Sequence, residues 1–318
     1  MQLKLDFLTH DVVLYTGIRA LKNERVKNMS DYCIVTDSTA DFTPELAERF
    51  GITVIPMIFN INGKDYLNYP DNRELSPKEF YDLIRAGENA TTAAINMTQF
   101  EECFIPILES GKDVLYIGFS SALSSTFGTA RIVAEQLSEK YPERKIMLAD
   151  TLSASMGEAV AVCRAAKLKA QGRSIEEVCA AVENERQQYC GWFTVDDLMH
   201  LYRGGRLSAM SAKIGTVMGI KPVLQITDEG KLTAAIKVRG RKQSIEALFK
   251  KYVELSVEQS ENIAFISHAD ALDAAEMLAD MIKVKYPETE VVIGHIGPVI
   301  GSHTGPGAVA FFFFGKNR

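Results

Sequence analysis

The sequence predicts an α/β protein of two domains: an N-terminal three-layer α/β/α domain with a parallel sheet, then a C-terminal two-layer α/β domain with a mixed sheet. Three observations predict it. From Tyr32 to about Ala170 strand-like and helix-like segments alternate, which implies parallel strands joined by crossover helices on both faces. In the second half, the tight turn Asp228-Glu229-Gly230 joins two strand-like runs and forces them to pair antiparallel. A chain of 318 residues also exceeds one comfortable hydrophobic core. The expected divisions are an extension over 1–30, a first domain over 31–185 and a second over 186–318.

The elements follow in order. Tyr32 to Thr36 reads as a buried strand, and Thr43, Pro44 and Gly51 read as the N-cap, first turn and stop of a helix. A strand from Ile52 to Phe59 runs into Asn62-Gly63, a type I′ hairpin pair, and returns over Lys64 to Leu67. Ser76-Pro77-Lys78-Glu79 and Thr98-Gln99-Phe100-Glu101 have the pattern of capping boxes, so helices should open there. Strands at Asp113 to Phe119 and Lys145 to Ala149 flank another helix, and one more helix runs from Ser153 to about Ala170. Beyond these, strands are expected at Gly191 to Val195, Pro222 to Ile226, Lys231 to Val238, Ile263 to Ser267, Val291 to Ile296 and Val309 to Phe314. Helices around Ser244 to Ser260 and Asp270 to Lys285 should pack on one side of that sheet.

Composition narrows the function. With 47% hydrophobic and 24% charged residues and a formal net charge of −6, the chain offers no general attraction to nucleic acid or anionic membranes. Its five cysteines are scattered without a C-x-x-C pair, so neither a disulfide framework nor a zinc site is indicated. The longest apolar stretch, Ala308 to Phe314, is far too short to span a bilayer, and a cytoplasmic location is expected.

Five loops are candidates for chemistry. Thr36 to Asp41 lies at the carboxyl end of the first strand, where open α/β sheets bind ligands. Gly118 to Thr126 puts Ser120, Ser121, Ser124, Ser125 and Thr126 at a helix start, which suits one carboxylate; without a glycine-rich cradle or a lysine it is no P-loop. Ala90 to Asn96, with Thr91-Thr92, precedes a helix. Tyr202-Arg203-Gly204-Gly205-Arg206 holds two guanidinium groups close, a geometry for an anionic ligand or partner, although taken alone it reads better as an exposed helix-terminal turn; Lys237 to Lys242 reads as a solvated strand end. Gly294 to Gly307 is punctuated by glycine and proline, so close backbone approach to a ligand or a domain junction is expected, and His303 is its notable side chain. The other four histidines, His10, His200, His268 and His295, have no partner at metal-ligand spacing.

Taken together, V-T-D-S-T-A-D, the Thr91-Thr92 pair, the S-S-x-L-S-x-T turn, D-D-L-x-x-L-x-x-G-G-R-x-S, K-V-R-G-R-K and G-P-V-I-G-x-H-T-G-P-G resemble the DegV family, in order and register over about residues 31 to 314. The resemblance implies a protein that buries a long-chain fatty acid and acts with a partner. The partner it implies is the ATP-binding subunit of a fatty acid kinase, which would convert the bound acid to acyl phosphate for phospholipid synthesis. It implies no cofactor and no chemistry of the chain's own. Carried over by position, Thr92 and Ser124 would bind the head group, Ser121 would help, and Arg206 and His303 would lie near the carboxylate. The chain departs from the family's usual T-S-Q at Thr92-Ala93-Ala94, and from S-S-G-L-S-G-T at Ala122 and Ser125. A serine hydrolase or acyltransferase using Ser124 with His303 is the main alternative, although no G-x-S-x-G elbow is present. A nucleotide-binding domain is a third reading, and it has neither a P-loop nor a dinucleotide fingerprint to support it.

Overall fold

A computed structural model describes residues 31–208, 219–257 and 263–318. The expected extension over 1–30 lies outside the described residues, as does the far end of the helix expected to reach Ser260.

The chain opens with β1 (Tyr32–Asp37), then α1 (Pro44–Phe50), capped by Thr43 and stopped by Gly51 in the left-handed region. The strand expected over Ile52 to Phe59 is two strands. β2 (Ile52–Ile55) joins β1 in parallel, and β3 (Ile58–Ile61) belongs to another sheet. The cause lies between them: Pro56 has no N–H to give a ladder, and Met57 gives its own to Ser38 Oγ at 3.0 Å. Asn62 and Gly63, both at positive φ, then make the hairpin to β4 (Lys64–Leu67).

Ser76 and Glu79 form the expected capping box of α2 (Pro77–Arg85). β5 (Ala90–Thr92), a segment without strand pattern in the sequence, completes a small antiparallel sheet beside β3 and sets Thr92 opposite Phe59. The next helix, α3 (Met97–Glu109), begins from Asn96. Asn96 and Gln99 exchange the two capping bonds that the sequence pattern assigns to Thr98 and Glu101.

β6 (Asp113–Gly118), α4 (Thr126–Lys140), β7 (Ile146–Asp150) and α5 (Met156–Ala170) follow in the expected alternation. The order β2-β1-β6-β7 is parallel throughout, and β6 is buried along its whole length. α6 (Ile175–Glu185) was not expected, although Ser174 and Glu177 form its capping box.

The second half contains β8 (Tyr189–Thr194), α7 (Met199–Arg203), β9 (Ile220–Ile226), β10 (Leu232–Arg239), α8 (Arg241–Leu255), β11 (Ile263–His268), α9 (Leu272–Lys285), β12 (Glu290–His295), α10 (Pro298–Thr304) and β13 (Val309–Phe314). Its six strands run in the order β10-β9-β8-β13-β11-β12, antiparallel except for the last pair. α8 and α9 pack on one face, as expected. The other face is covered by α5 from the first half, which touches β8, β11 and β13. A Cβ on Gly157 of α5 would fall 2.7 Å from the Phe312 ring, so that close approach needs glycine. One large apolar core therefore runs from the parallel sheet to the inner face of the mixed sheet, joining Ile34 and Val35 to Phe193, Leu224 and Phe312.

Candidate functional site

Between the two sheets lies a narrow cavity enclosing about 740 Å³ free of atoms, its open mouth included. The first half supplies Met57, Phe119, Leu123 and Ala154 to its wall. The second half supplies Phe193, Ile226, Leu232, Ile300, Ala310 and Phe312. Thr39, Thr92, Ser124, Ser155, Arg206, His303 and Thr304 are the polar exceptions in a largely apolar lining.

The structure brings Thr92, Ser124, Arg206 and His303 together in the cavity wall, from positions up to 211 residues apart, and Thr92, Arg206 and His303 also face the space outside, which marks this end as the mouth. Thr92 ends β5, and its Oγ1 lies 3.1 Å from Nε2 of His303 on α10. His303 Nδ1 is buried without a partner among the described residues, and a Cβ on Gly204 would fall 2.4 Å from it. Burial, reinforced by the charge of Arg206, lowers the His303 pKa to about 4, so the ring is neutral near pH 7. Arg206 donates from Nε to the Leu123 carbonyl at 3.2 Å and from a terminal nitrogen to the Gly204 carbonyl. It forms no ion pair among the described residues, and desolvation lowers its pKa. A neutral imidazole, two hydroxyls and one guanidinium without an ion pair among the described residues form a site that can orient a carboxylate.

The hydroxyl-rich turn is used unevenly. Ser120 is fully buried and donates to the Gly230 carbonyl at 2.9 Å, tying the two halves together. Ser121 is exposed and does not reach the cavity; its backbone N–H donates to Asp150 Oδ1. Ser125 is also exposed, and Thr126 Oγ1 accepts from the Ile95 N–H. Ser124 alone of the five serine and threonine hydroxyls lines the cavity, held by the Thr126 N–H at 3.2 Å and the Thr126 hydroxyl at 3.0 Å. The expectation that the cluster converges on one anion is corrected to a single hydroxyl, because the turn points its neighbours elsewhere.

The loop after β1 is mostly internal. Thr36 and Thr39 donate to the two oxygens of Glu158 at 2.7 and 2.9 Å, and Tyr116 donates to Asp37 at 2.6 Å. Desolvation raises the pKa of both carboxyl groups. Only Thr39 of this loop lines the cavity. Sequence reasoning did not single out Thr39 or Ser155 as ligands; Thr39 stands in the candidate loop, whereas nothing local marks Ser155. In Lys237 to Lys242, Arg241 is no solvated strand end, since it bonds Asp196 and the Gly307 carbonyl at 2.5 Å each.

A nucleophile and base are not assembled here. The Ser124 hydroxyl partners Thr126, His303 partners Thr92, and among the described residues no carboxylate orients His303 Nδ1. Among the described residues no group of His, Cys, Asp or Glu is placed to hold a metal ion, and no helix is long and apolar enough to cross a membrane.

Comparison with known proteins gives one answer. Residues 32–316 match the family described as "Uncharacterised protein, DegV family". A DegV domain-containing protein of Clostridium perfringens is 41% identical over 290 residues, 91% of this chain and 99% of that one. Among solved structures, a DegV family protein from Thermus thermophilus, described by its fatty acid binding, superposes with a TM-score of 0.81 at 31% identity, over 90% of this chain and 100% of the other. DegV of Bacillus subtilis, described as a fatty acid binding protein, gives 0.77 at 28%, again over 90% and 100%. With its parallel and mixed sheets, its cavity and a match over nearly all the described residues, the chain belongs to the DegV family.

Proposed function

We propose that the protein binds one long-chain fatty acid in the inter-sheet cavity and presents its carboxylate to a fatty acid kinase, whose product, an acyl phosphate, feeds phospholipid synthesis. The observation that carries this reading is an apolar cavity whose mouth gathers Thr92, Ser124, Arg206 and His303. The fatty acid binding described for the Thermus thermophilus and Bacillus subtilis relatives supports it. On this reading residues 31–185 supply the two hydroxyls and residues 186–318 the guanidinium and the imidazole.

Energetics divide the labour. Each buried methylene contributes roughly 0.8 kcal/mol, so fourteen approach about 10 kcal/mol before ordering costs. A hydrogen bond to the carboxylate contributes about 1.5 to 3 kcal/mol, much of which offsets desolvation. The tail sets affinity and the mouth sets orientation. The test is denaturing extraction and mass spectrometry of protein purified from cells. About one fatty acid per chain is expected, and its absence from both the purified protein and protein incubated with hexadecanoic acid would end the proposal.

A further inference from the structure

We propose that a polar vestibule outside the cavity mouth is the seat of a phosphoryl group, and holds the phosphate of a lipid whose tail lies in the cavity. The inference rests on the fatty acid reading and adds a second site to it.

The vestibule encloses about 980 Å³, open solvent included, and shares Thr92, Arg206 and His303 with the cavity. A group attached to a carboxylate at the mouth therefore enters it directly. Its other walls include Asn89, Thr91, His200 and Arg203, together with one acid, Glu88. Two guanidinium groups thus face one carboxylate, while burial disfavours the charged form of His200. The balance favours an anion.

Among the described residues the two arginines are not spent on the fold's own acids. Arg203 is exposed at the end of α7 and forms no ion pair among the described residues. Arg206 bonds only carbonyl oxygens among the described residues. They flank Gly204-Gly205, where Gly205 at φ 75° turns the chain, and the result is a division of position. Arg206 lines both spaces and Arg203 only the outer one.

A carboxylate held at the mouth needs no second guanidinium beyond it. A phosphoryl group carries a second charge and three acceptor oxygens, which planar guanidinium forks match. In the proposed transfer a carboxylate oxygen bonds to the terminal phosphorus of ATP as the phosphorus–oxygen bond to ADP breaks and ADP leaves. The new phosphate then stands one bond outside the carboxyl group, on the vestibule side.

The experiment compares two probes on the full delipidated chain: hexadecanoic acid and hexadecyl phosphate, a stable monoester. Arg203→Ala should weaken hexadecyl phosphate at least tenfold and change hexadecanoic acid by less than twofold, and Arg203→Lys should restore part of the loss. Equal effects on both probes, no effect on either, or a wild-type chain that holds the acid but not the phosphate would overturn the vestibule assignment alone. A wild-type chain that holds neither probe would overturn the fatty acid reading as well.

Discussion

Thr92 Oγ1 and His303 Nε2 stand 3.1 Å apart, joining the edge strand of the smallest sheet to the short helix that follows the parallel pair β11 and β12. The fold holds this imidazole neutral, with its pKa lowered to about 4 mainly by burial. The unfolded chain takes up its proton near pH 6.5, so the stability this group contributes is whole above that pH and is lost as the pH falls toward 4. The full contribution is roughly 3 kcal/mol at most, since each tenfold change in proton affinity corresponds to about 1.4 kcal/mol. Nitrogen NMR of the ring should show it uncharged at pH 6; a ring half-protonated there would contradict the site's electrostatics.

Gly204 leaves room for that ring. Its backbone, at φ −69°, suits any residue, so Gly204→Ala brings no backbone strain, yet the added methyl would lie 2.4 Å from His303 Nδ1. The imidazole must move away from Thr92. The expected result is a stability loss within about 2 kcal/mol, in the usual range for overpacking, with acyl phosphate formation by added kinase reduced at least tenfold. A variant with wild-type turnover would show that the imidazole's placement is immaterial.

Asp41 has the opposite pH dependence. Its Oδ1 accepts from the Gly297 N–H at 2.8 Å and its Oδ2 from the Ser155 hydroxyl at 2.5 Å, but burial still raises its pKa to about 7. The unfolded chain gives up this proton near pH 4, so stability falls as pH rises from there to about 7 and is flat beyond. Asp41→Asn keeps the bond from Gly297 and donates to Ser155, whose proton can turn to Ser267 Oγ, 3.0 Å away. Urea unfolding should show the variant more stable by roughly 1 to 3 kcal/mol at pH 8, with no gain at pH 4. A loss at pH 8 would mean that the charge itself is needed.

The legible parts of the fold are those where local chemistry agrees with tertiary context. Val309–Phe314 has the bounds read from the sequence because a continuous apolar run ends beside Gly315. The run from Ile52 to Phe59 misled, since its hydrophobicity is equally right for two strands in different sheets, and Pro56 decides between them. α10 went unread because seven residues among glycines and prolines carry no period. At the site, single motifs could mark Thr92, Arg206 and His303 but not their meeting, which depends on three elements converging. The uneven use of Ser120, Ser121 and Ser124 was hidden for a simpler reason: serines of one chemistry differ only in where the turn points them.

Ala310 lines the cavity from near the start of β13, buried to all but 5%. Ala310→Leu puts three more carbons into a narrow space without changing its polarity. The fatty acids retained by the purified variant should be shorter by roughly the volume added, about two to four carbons, with total occupancy held above half of wild type. Mass spectrometry of extracted lipid reads both quantities. An unchanged chain-length distribution would place the acyl tail elsewhere.

Thr92→Val combined with Ser124→Ala separates tail from head. Val matches the shape of Thr92 and removes the partner of His303 Nε2, and Ala removes the hydroxyl that the Thr126 N–H and hydroxyl hold. Neither change touches the apolar wall, so most of the binding free energy, which scales with buried methylenes, survives. The carboxylate loses its orientation instead, and a misplaced nucleophile costs rate steeply. Retention of hexadecanoic acid should fall by less than tenfold, and acyl phosphate formation with added kinase by a hundredfold or more. Equal losses in both would show that the hydroxyls act only as anchors and that the mouth has no separate part in presentation.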